Sequence, residues 1–238
     1  MSRPEIAATD ARLVTGRAGR LSLAVLLAST ALGVVSAHAV DGTWVGATTE
    51  WTDPTNWTSN PSVPDGTATF SNTGSATVDA NGIVNISAIQ FTAAPNAQAF
   101  TISNYDVFIV NGAGMANNST NLQTFNVNAA MIFQNASSAS GGTGAVNINV
   151  SGGSLTFQNT STAGTATIVN SAVTQFFDSS SAGSAGITNN ATIDFFDSAT
   201  ASAATIGNAA TGALTFNNSA SAGTSIITNN GILQFNNA

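Results

Sequence analysis

The chain contains no cysteine and no lysine, and its few other basic side chains all lie near the amino terminus. The cations and the single histidine are Arg3, Arg12, Arg17, Arg20 and His38. From residue 40 onward the chain carries nine carboxylates and no cation. That part therefore cannot form a disulfide framework, a zinc or iron site built on His or Cys, or a catalytic Ser-His-Asp or Cys-His arrangement. It also lacks the Lys and Arg that bind phosphates, which excludes nucleic-acid binding by that route.

The first 39 residues have the order of regions found in a secretory signal peptide. Residues 1–20 contain four arginines and two carboxylates, and an uncharged, mostly apolar run, 21–35, follows. Ala37 and Ala39 then supply the small-x-small pattern that a signal peptidase reads. The alternative is an amino-terminal membrane anchor, but a helix needs roughly 20 apolar residues to span a bilayer. We therefore predict that this segment is a signal peptide, removed before Val40, and that the mature chain is exported.

The mature chain is rich in small polar residues, and its apolar residues recur at fixed spacings. Four units of 19 or 21 residues align on a phenylalanine. The aligned columns are Phe157, Phe176, Phe195, Phe216 and Phe235; Ala163, Ala182, Ala201 and Ala222; Ile168, Ile187, Ile206 and Ile227; and Asn170, Asn189, Asn208 and Asn229. Apolar residues alternate with polar ones within short segments, which is typical of strands three to five residues long.

These repeats predict an all-β fold, a right-handed parallel β-helix (β-solenoid) with about 19–21 residues per coil, preceded by a helical signal peptide. One unit cannot bury a core by itself, so the units stack, with each Phe and Ile about 4.8 Å from its counterpart. The asparagine column is expected at a turn. There Asn tolerates left-handed backbone, and its amide can bond along the stack.

Composition divides the mature chain into three predicted parts. Residues 40–66 contain all three tryptophans and are expected to cap the open first coil, because terminal repeats of solenoids are atypical. Residues 67–150 are expected to form irregular coils with loop insertions. Residues 151–238 form the regular repeats and end three residues after Phe235. We therefore expect the sequence to be truncated at the carboxyl terminus, as a fragment of a longer protein.

Several segments resemble the passenger regions of bacterial autotransporters (type V secretion). They are the long arginine-bearing signal, TWVGATTEWTDPTNW over 43–57, the GTATF strand over 66–70, and repeats such as FQNTSTAGTATIVNSA over 157–172. The resemblance implies a β-helix that crosses the outer membrane and is displayed on the cell surface as an adhesin. The carboxyl-terminal β-barrel that carries such passengers outward is absent from these residues.

Two carboxylates stand at equivalent positions of neighbouring repeats, Asp178 and Asp197. Stacked carboxylates are one route to a Ca²⁺ site, because hard cations favour clustered oxygen ligands. Their expected spacing of about 5 Å is also that of a retaining glycosidase. The simpler interpretation is a ladder of turns in which Asp replaces Asn on the solvent side. We predict no metal site and no catalytic residue.

Four aromatic residues are candidates for ligand contact. Phe177 and Phe196 directly follow the repeat phenylalanines and should point outward. Two stacked, exposed rings could contact a sugar or another solenoid, unless a neighbouring segment covers them. Trp51 and Trp57 present a similar choice between stacking on a sugar ring and capping the first coil.

These features favour a non-catalytic, surface-displayed or secreted β-solenoid with a structural or adhesive role and no cofactor. The alternative is a carbohydrate-binding or polysaccharide-active β-helix protein. Lyases that resemble this fold rely on Arg or Lys, which are absent after residue 39. The expected partner is a host surface, an abiotic surface or a glycan. The uncapped last coil further predicts end-to-end self-association.

Overall fold

The computed structural model describes residues 38–236, which form nineteen strands and one short 3₁₀ helix, Pro54–Asn56. The strands are β1 (Gly42–Thr43), β2 (Thr67–Phe70), β3 (Thr77–Ala80), β4 (Val84–Phe91), β5 (Thr101–Asn104), β6 (Phe108–Asn117), β7 (Gln123–Val127), β8 (Ala130–Phe133), β9 (Ser138–Gly142), β10 (Val146–Val150), β11 (Ser154–Phe157), β12 (Thr167–Asn170), β13 (Val173–Phe176), β14 (Gly186–Asn189), β15 (Thr192–Phe195), β16 (Thr205–Asn208), β17 (Ala213–Asn217), β18 (Ile226–Asn229) and β19 (Ile232–Asn236). The predicted helical signal peptide falls almost wholly on residues 1–37, which lie outside the described range. No helix within 38–236 is long and apolar enough to cross a membrane.

The strands pair side by side in two parallel sheets whose members come from successive coils. One sheet has the order β1-β2-β4-β6-β8-β11-β13-β15-β17-β19, with β9 also paired to β6. The other has the order β3-β5-β7-β10-β12-β14-β16-β18. A third, shorter line of parallel bridges joins Ser138, Thr162, Ser181, Thr200 and Ser221. The architecture is a β-solenoid of about eight turns, which confirms the predicted parallel, all-β repeat fold.

Coil length changes along the stack. Thr167 pairs with Gly186, so that coil has the predicted length of 19 residues. Most upstream coils are longer: Val84 pairs with Phe108, and Thr77 with Thr101, 24 residues later in each case. The pairing of β4 with β6 also shifts at a bulge between Ile86 and Ala88. The predicted length of 19–21 residues therefore holds for the later coils and for the β2–β4 coil, where Thr67 pairs with Ala88; insertions and a bulge lengthen the other early coils.

A continuous column of phenylalanine rings fills the interior beside the first sheet. Strand residues alternate between interior and exterior, as in β15, where Ile193 and Phe195 are buried and Thr192 and Asp194 are half-buried. Successive rings of the column stack with centroids 4.5–5.0 Å apart and planes within 12° of parallel; the column is Phe133, Phe157, Phe176, Phe195, Phe216 and Phe235. Parallel pairing at one strand spacing places each ring against its counterpart.

The asparagine column of the repeats lies inside the solenoid. Asn170, Asn189 and Asn208 each end a strand and are at most 1% exposed. Their amides form a chain of hydrogen bonds along the stack: the Nδ2 of Asn170 donates to Asn189 Oδ1 at 2.8 Å, and Asn189 Nδ2 donates to Asn208 Oδ1 at 2.7 Å. The predicted bonding along the stack is therefore present, but these residues are not the left-handed ones.

Left-handed backbone occurs at two corners of each regular coil. One corner is the position two residues after the buried phenylalanine, where φ lies between 55° and 59°; it comprises Asn135, Asn159, Asp178, Asp197 and Asn218. The other corner is usually glycine, as at Gly164 and Gly183. Asn and Asp enter this region more readily than other residues with a side chain, which explains their recurrence at the first corner.

The amino-terminal segment packs its tryptophans over the first phenylalanine of the solenoid. Trp44, Trp51 and Trp57 are all at most 1% exposed, and each lies 5.6–5.9 Å from the ring of Phe70. The Nε1 of Trp57 donates to the carbonyl oxygen of Trp51 at 2.7 Å. The main chain of this segment also covers the edge of the second sheet, since the N–H of Trp51 donates to the Asp79 carbonyl oxygen at 2.9 Å.

Candidate functional site

The candidate site is an external column of side chains, which we call the outer ladder; each immediately follows a phenylalanine of the stacked interior column. Its members are Gln134, Gln158, Phe177, Phe196, Asn217 and Asn236. In four coils the side chain is an amide, and in two neighbouring coils it is phenylalanine. Phe177 and Phe196 stack with centroids 4.9 Å apart and planes 7° from parallel. Both rings are half-buried.

The strands on either side fix the position of this aromatic pair. The N–H of Phe177 donates to the Phe157 carbonyl oxygen at 2.9 Å, and that of Phe196 donates to the Phe176 carbonyl oxygen at 2.8 Å. The backbone therefore stays in register just beyond β13 and β15. Because the rings are nearly parallel at one strand spacing, each covers one face of the other. A ligand can therefore contact the exposed edges of the two stacked rings, but not the faces that they turn to each other.

Amide pairs continue the outer ladder above and below the rings. Gln134 Nε2 donates to Gln158 Oε1 at 3.3 Å, and Asn236 Nδ2 donates to Asn217 Oδ1 at 3.0 Å. The ladder thus presents an apolar step between two polar stretches. Such a surface could contact an amphipathic partner through its rings and through its amide donors and acceptors.

The two stacked carboxylates hold neighbouring turns together. Asp178 and Asp197 are exposed and occupy the left-handed corner. The Oδ2 of Asp178 accepts from the Asn159 N–H at 2.7 Å, and the Oδ2 of Asp197 accepts from the Asp178 N–H at 3.1 Å. The Oδ1 of Asn159 accepts in the same way from the Asn135 N–H at 2.9 Å. Asp and Asn therefore make the same hydrogen bond, in which a side-chain oxygen accepts from the backbone N–H of the preceding coil, as the turn-ladder interpretation expects.

No group of three or more His, Cys, Asp or Glu side chains within residues 38–236 is arranged to hold a metal ion. Asp178 and Asp197 form a pair at most, and one oxygen of each carboxylate already accepts a backbone hydrogen bond. The spacing of the two carboxylates is explained by these backbone hydrogen bonds at the left-handed corner of the coil.

Sequence reasoning overlooked Asp194, which borders the outer ladder. This residue lies in β15 two positions before Phe196, between Gln175 and Thr215 of the neighbouring strands. Partial burial raises the pKa of its carboxyl above the ordinary value, and a hydrogen bond with Thr215 opposes that rise. The available signal was alternation: residues two apart in a strand share a face, so Asp194 belongs with the outward side chains.

The structure places Trp51 and Trp57 away from the outer ladder. Both side chains are buried among other rings, so neither offers an open face for a sugar. Trp51 nevertheless forms part of the wall of a surface pocket of about 310 Å³, together with Asp65, Ile83 and Asn85. Its Nε1 is buried and has no hydrogen-bond partner.

No protein-family model, no curated protein and no solved structure matches this chain. Its function is therefore inferred from its own residues and geometry.

Proposed function

We propose that the chain is a non-catalytic, exported β-solenoid that serves as a structural or adhesive passenger at the bacterial cell surface. The observation that supports this most directly is the unbroken parallel stack, in which coils repeat the same interior and expose small polar side chains. A stack of this kind is a rigid, extended support for repeated surface contacts. We propose a right-handed coil, the usual hand of connections between parallel strands.

The chemistry of the mature residues is consistent with a binding or structural role. Beyond residue 39 there is no His, Cys, Lys or Arg to act as a general base or a nucleophile. The signal-like amino terminus and the resemblance to autotransporter passengers favour export and surface display. The outer ladder around Phe177 and Phe196 is the surface we assign to adhesion.

The test is an adhesion measurement on the exported, purified protein. Beads coated with it are counted on epithelial cells, polystyrene, glass and a glycan array. We expect saturable binding to one of the cell or abiotic surfaces. Replacing Phe177 with Gln and Phe196 with Asn installs the residues found at Gln158 and Asn217. Because this double change removes two ring contacts, we expect it to weaken binding by about tenfold.

The matched control replaces Gln158 with alanine in the same ladder and should leave adhesion within about twofold of the parent. Equal binding by the parent and the double variant would contradict an adhesive role for the rings. Absence of binding to every surface would leave the structural role. Loss of viscosity from a polysaccharide solution would overturn the non-catalytic proposal.

A carbohydrate-binding alternative is favoured by one observation, the pocket beside Trp51. Its wall combines the exposed Ile83 with Asp65 and Asn85. Trp51 also lines the pocket, and its indole N–H has no hydrogen-bond partner. Binding confined to the glycan array, and lost on Asn85→Ala but retained by the Phe177/Phe196 double variant, would favour this alternative over the adhesive one.

We also propose that the chain associates through its last described coil. At the amino-terminal end the first strand of each sheet is covered. Strand β1 pairs with the edge of β2, and the segment around Trp51 bonds to the edge of β3. In the last coil Ile226, Ile232 and Phe235 are 54–67% exposed. Within residues 38–236 the outer edges of β18 and β19 have no paired strand, so we propose that two chains of this sequence meet through these like ends. Such a contact closes into a two-fold dimer and does not propagate as a filament.

Size-exclusion chromatography with light scattering tests this association. We expect a protein of this sequence to elute as a dimer, and the double change Ile232→Lys, Phe235→Asp to give a monomer, because it places charges on the open strand edge. Ile83→Lys alters a residue that is 70% exposed near the amino-terminal end and should leave the dimer intact. A parent monomer, or a dimer lost only on Ile83→Lys, would contradict the proposal.

A further inference from the structure

The first residue after the predicted cleavage point is bound to the solenoid by a carboxylate. The backbone nitrogen of Val40 donates to Oδ1 of Asp65 at 2.6 Å, across 25 residues of sequence. The carbonyl oxygen of Val40 accepts from the N–H groups of Asp65 and Gly66 at 3.1 and 2.9 Å. Both polar backbone groups of Val40 are therefore held by one turn.

The residues that follow continue this attachment without a break. Asp41 Oδ1 accepts from the Thr67 N–H at 2.6 Å. Gly42 and Thr43 then form β1 and pair with Ala68 and Thr69 of β2. The ordered contacts of the solenoid thus include the residue that cleavage after Ala39 would make the first of the mature chain.

We propose that cleavage after Ala39 creates an α-ammonium group at Val40 which Asp65 binds as an ion pair, so that the processed terminus becomes part of the amino-terminal cap. This inference rests on the proposed export. Hydrolysis by a signal peptidase adds one water: Ala39 keeps the oxygen as a carboxylate, and the Val40 nitrogen takes up protons to become an ammonium. The neutral amide donor that faces Asp65 in the uncleaved chain is thereby replaced by a charged one.

The charge distribution makes this pair distinctive. Residues 40–238 carry nine carboxylates and no Lys, Arg or His, so the ammonium of Val40 would be the one cationic group among them. Asp65 and Asp41 are the carboxylates that bind the backbone at this corner. An opposite charge in hydrogen-bond contact stabilises the protonated amine and raises its pKa above the ordinary value. A charge-assisted bond is also shorter and stronger than a neutral one.

The lack of lysine gives a direct experiment. The full chain is exported from a bacterial host, and the amino terminus of the purified product is sequenced. An amine-reactive ester then labels only the α-amine of the processed protein, and the labelling rate is followed against pH by mass spectrometry. In the folded parent we expect the amine pKa to lie at least about half a unit above its value of about 8 in urea. At pH 7 the labelling would then be roughly threefold slower.

Asp65→Asn keeps an oxygen acceptor but removes the charge, and it should abolish this difference. Asp106→Asn makes the same charge change in the turn before β6 and should preserve it. An amino terminus other than Val40 would overturn the processing step and weaken the export proposal. An amino terminus at Val40 whose labelling is the same in the parent, in Asp65→Asn and in urea would overturn the ion pair alone.

Discussion

Replacing Phe176 with alanine is expected to lower the free energy of unfolding by about 3–5 kcal/mol. The side chain is fully buried, and its ring is stacked between Phe157 and Phe195 with centroid distances of 4.8 and 4.5 Å. Truncation removes the buried apolar area and leaves a cavity between two rings that the strand spacing holds apart. Parallel pairing on both sides of β13 limits the relaxation that could fill it. The measurement is the midpoint of urea unfolding, followed by far-ultraviolet circular dichroism.

The adjacent residue supplies a matched control. Phe177→Ala removes the same number of atoms from the next position of the chain, where the ring is half-buried. We expect Phe177→Ala to lower the free energy of unfolding by about 1 kcal/mol or less, because folding removes less of this ring's apolar surface from water. An equal decrease in the free energy of unfolding for Phe176→Ala and Phe177→Ala would show that the interior column is not the main source of stability in these coils.

Replacing Asn189 with alanine is expected to destabilise the protein by about 3 kcal/mol, because several buried polar groups lose a partner together. The Nδ2 of Asn189 donates to Asn208 Oδ1 at 2.7 Å and to the Ala213 carbonyl oxygen at 3.0 Å. Its Oδ1 accepts from Asn170 Nδ2 at 2.8 Å. An alanine at this position interrupts the chain of amide hydrogen bonds. The former partners of Asn189 stay buried, so water cannot replace the bonds that they lose.

Urea unfolding of two further variants distinguishes this network from packing. Asn190→Ala changes the next, exposed residue and should lie within about 0.5 kcal/mol of the parent. Asn189→Leu restores the volume but not the hydrogen bonds, and it should remain destabilised by about 2 kcal/mol or more. Full recovery of stability by leucine would mean that side-chain volume, and not hydrogen bonding between the amides, holds the column together.

The repeat period was predictable because a solenoid applies the same constraint in every coil. Each coil must present a large apolar residue to the column at one fixed distance along the chain, so Phe157, Phe176 and Phe195 recur at the coil length. The same constraint fails upstream, where β4 and β6 are longer strands with a bulge between Ile86 and Ala88. Insertions there break the numerical spacing while leaving the pairing of the strands intact.

The candidate site was predictable in part. Phe177 and Phe196 follow buried residues and were expected to stack and face outward, and the structure shows them stacked and half-buried on the exterior. Asp194 was overlooked although alternation with Phe196 places it on the outer face; its partial burial depends on the neighbouring strands. Trp51 and Trp57 could be assigned to one segment from the sequence, but their burial depends on how that segment folds over Phe70.

By itself the sequence determined the parallel repeat, the residues of each column and the absence of basic side chains after residue 39. Only the tertiary structure decided which of two asparagine-rich columns lies inside. Asn159 and Asn170 each stand two residues after a buried apolar side chain, Phe157 and Ile168, and both suit a turn. Closing the coil gives Asn159 a left-handed corner at the surface and turns the side chain of Asn170 inward, where amides of neighbouring coils meet at bonding distance. Local sequence leaves that choice open because it depends on the direction of the chain around the whole coil. The contact between Val40 and Asp65 is decided in the same way, since it joins residues that only the returning coil brings together.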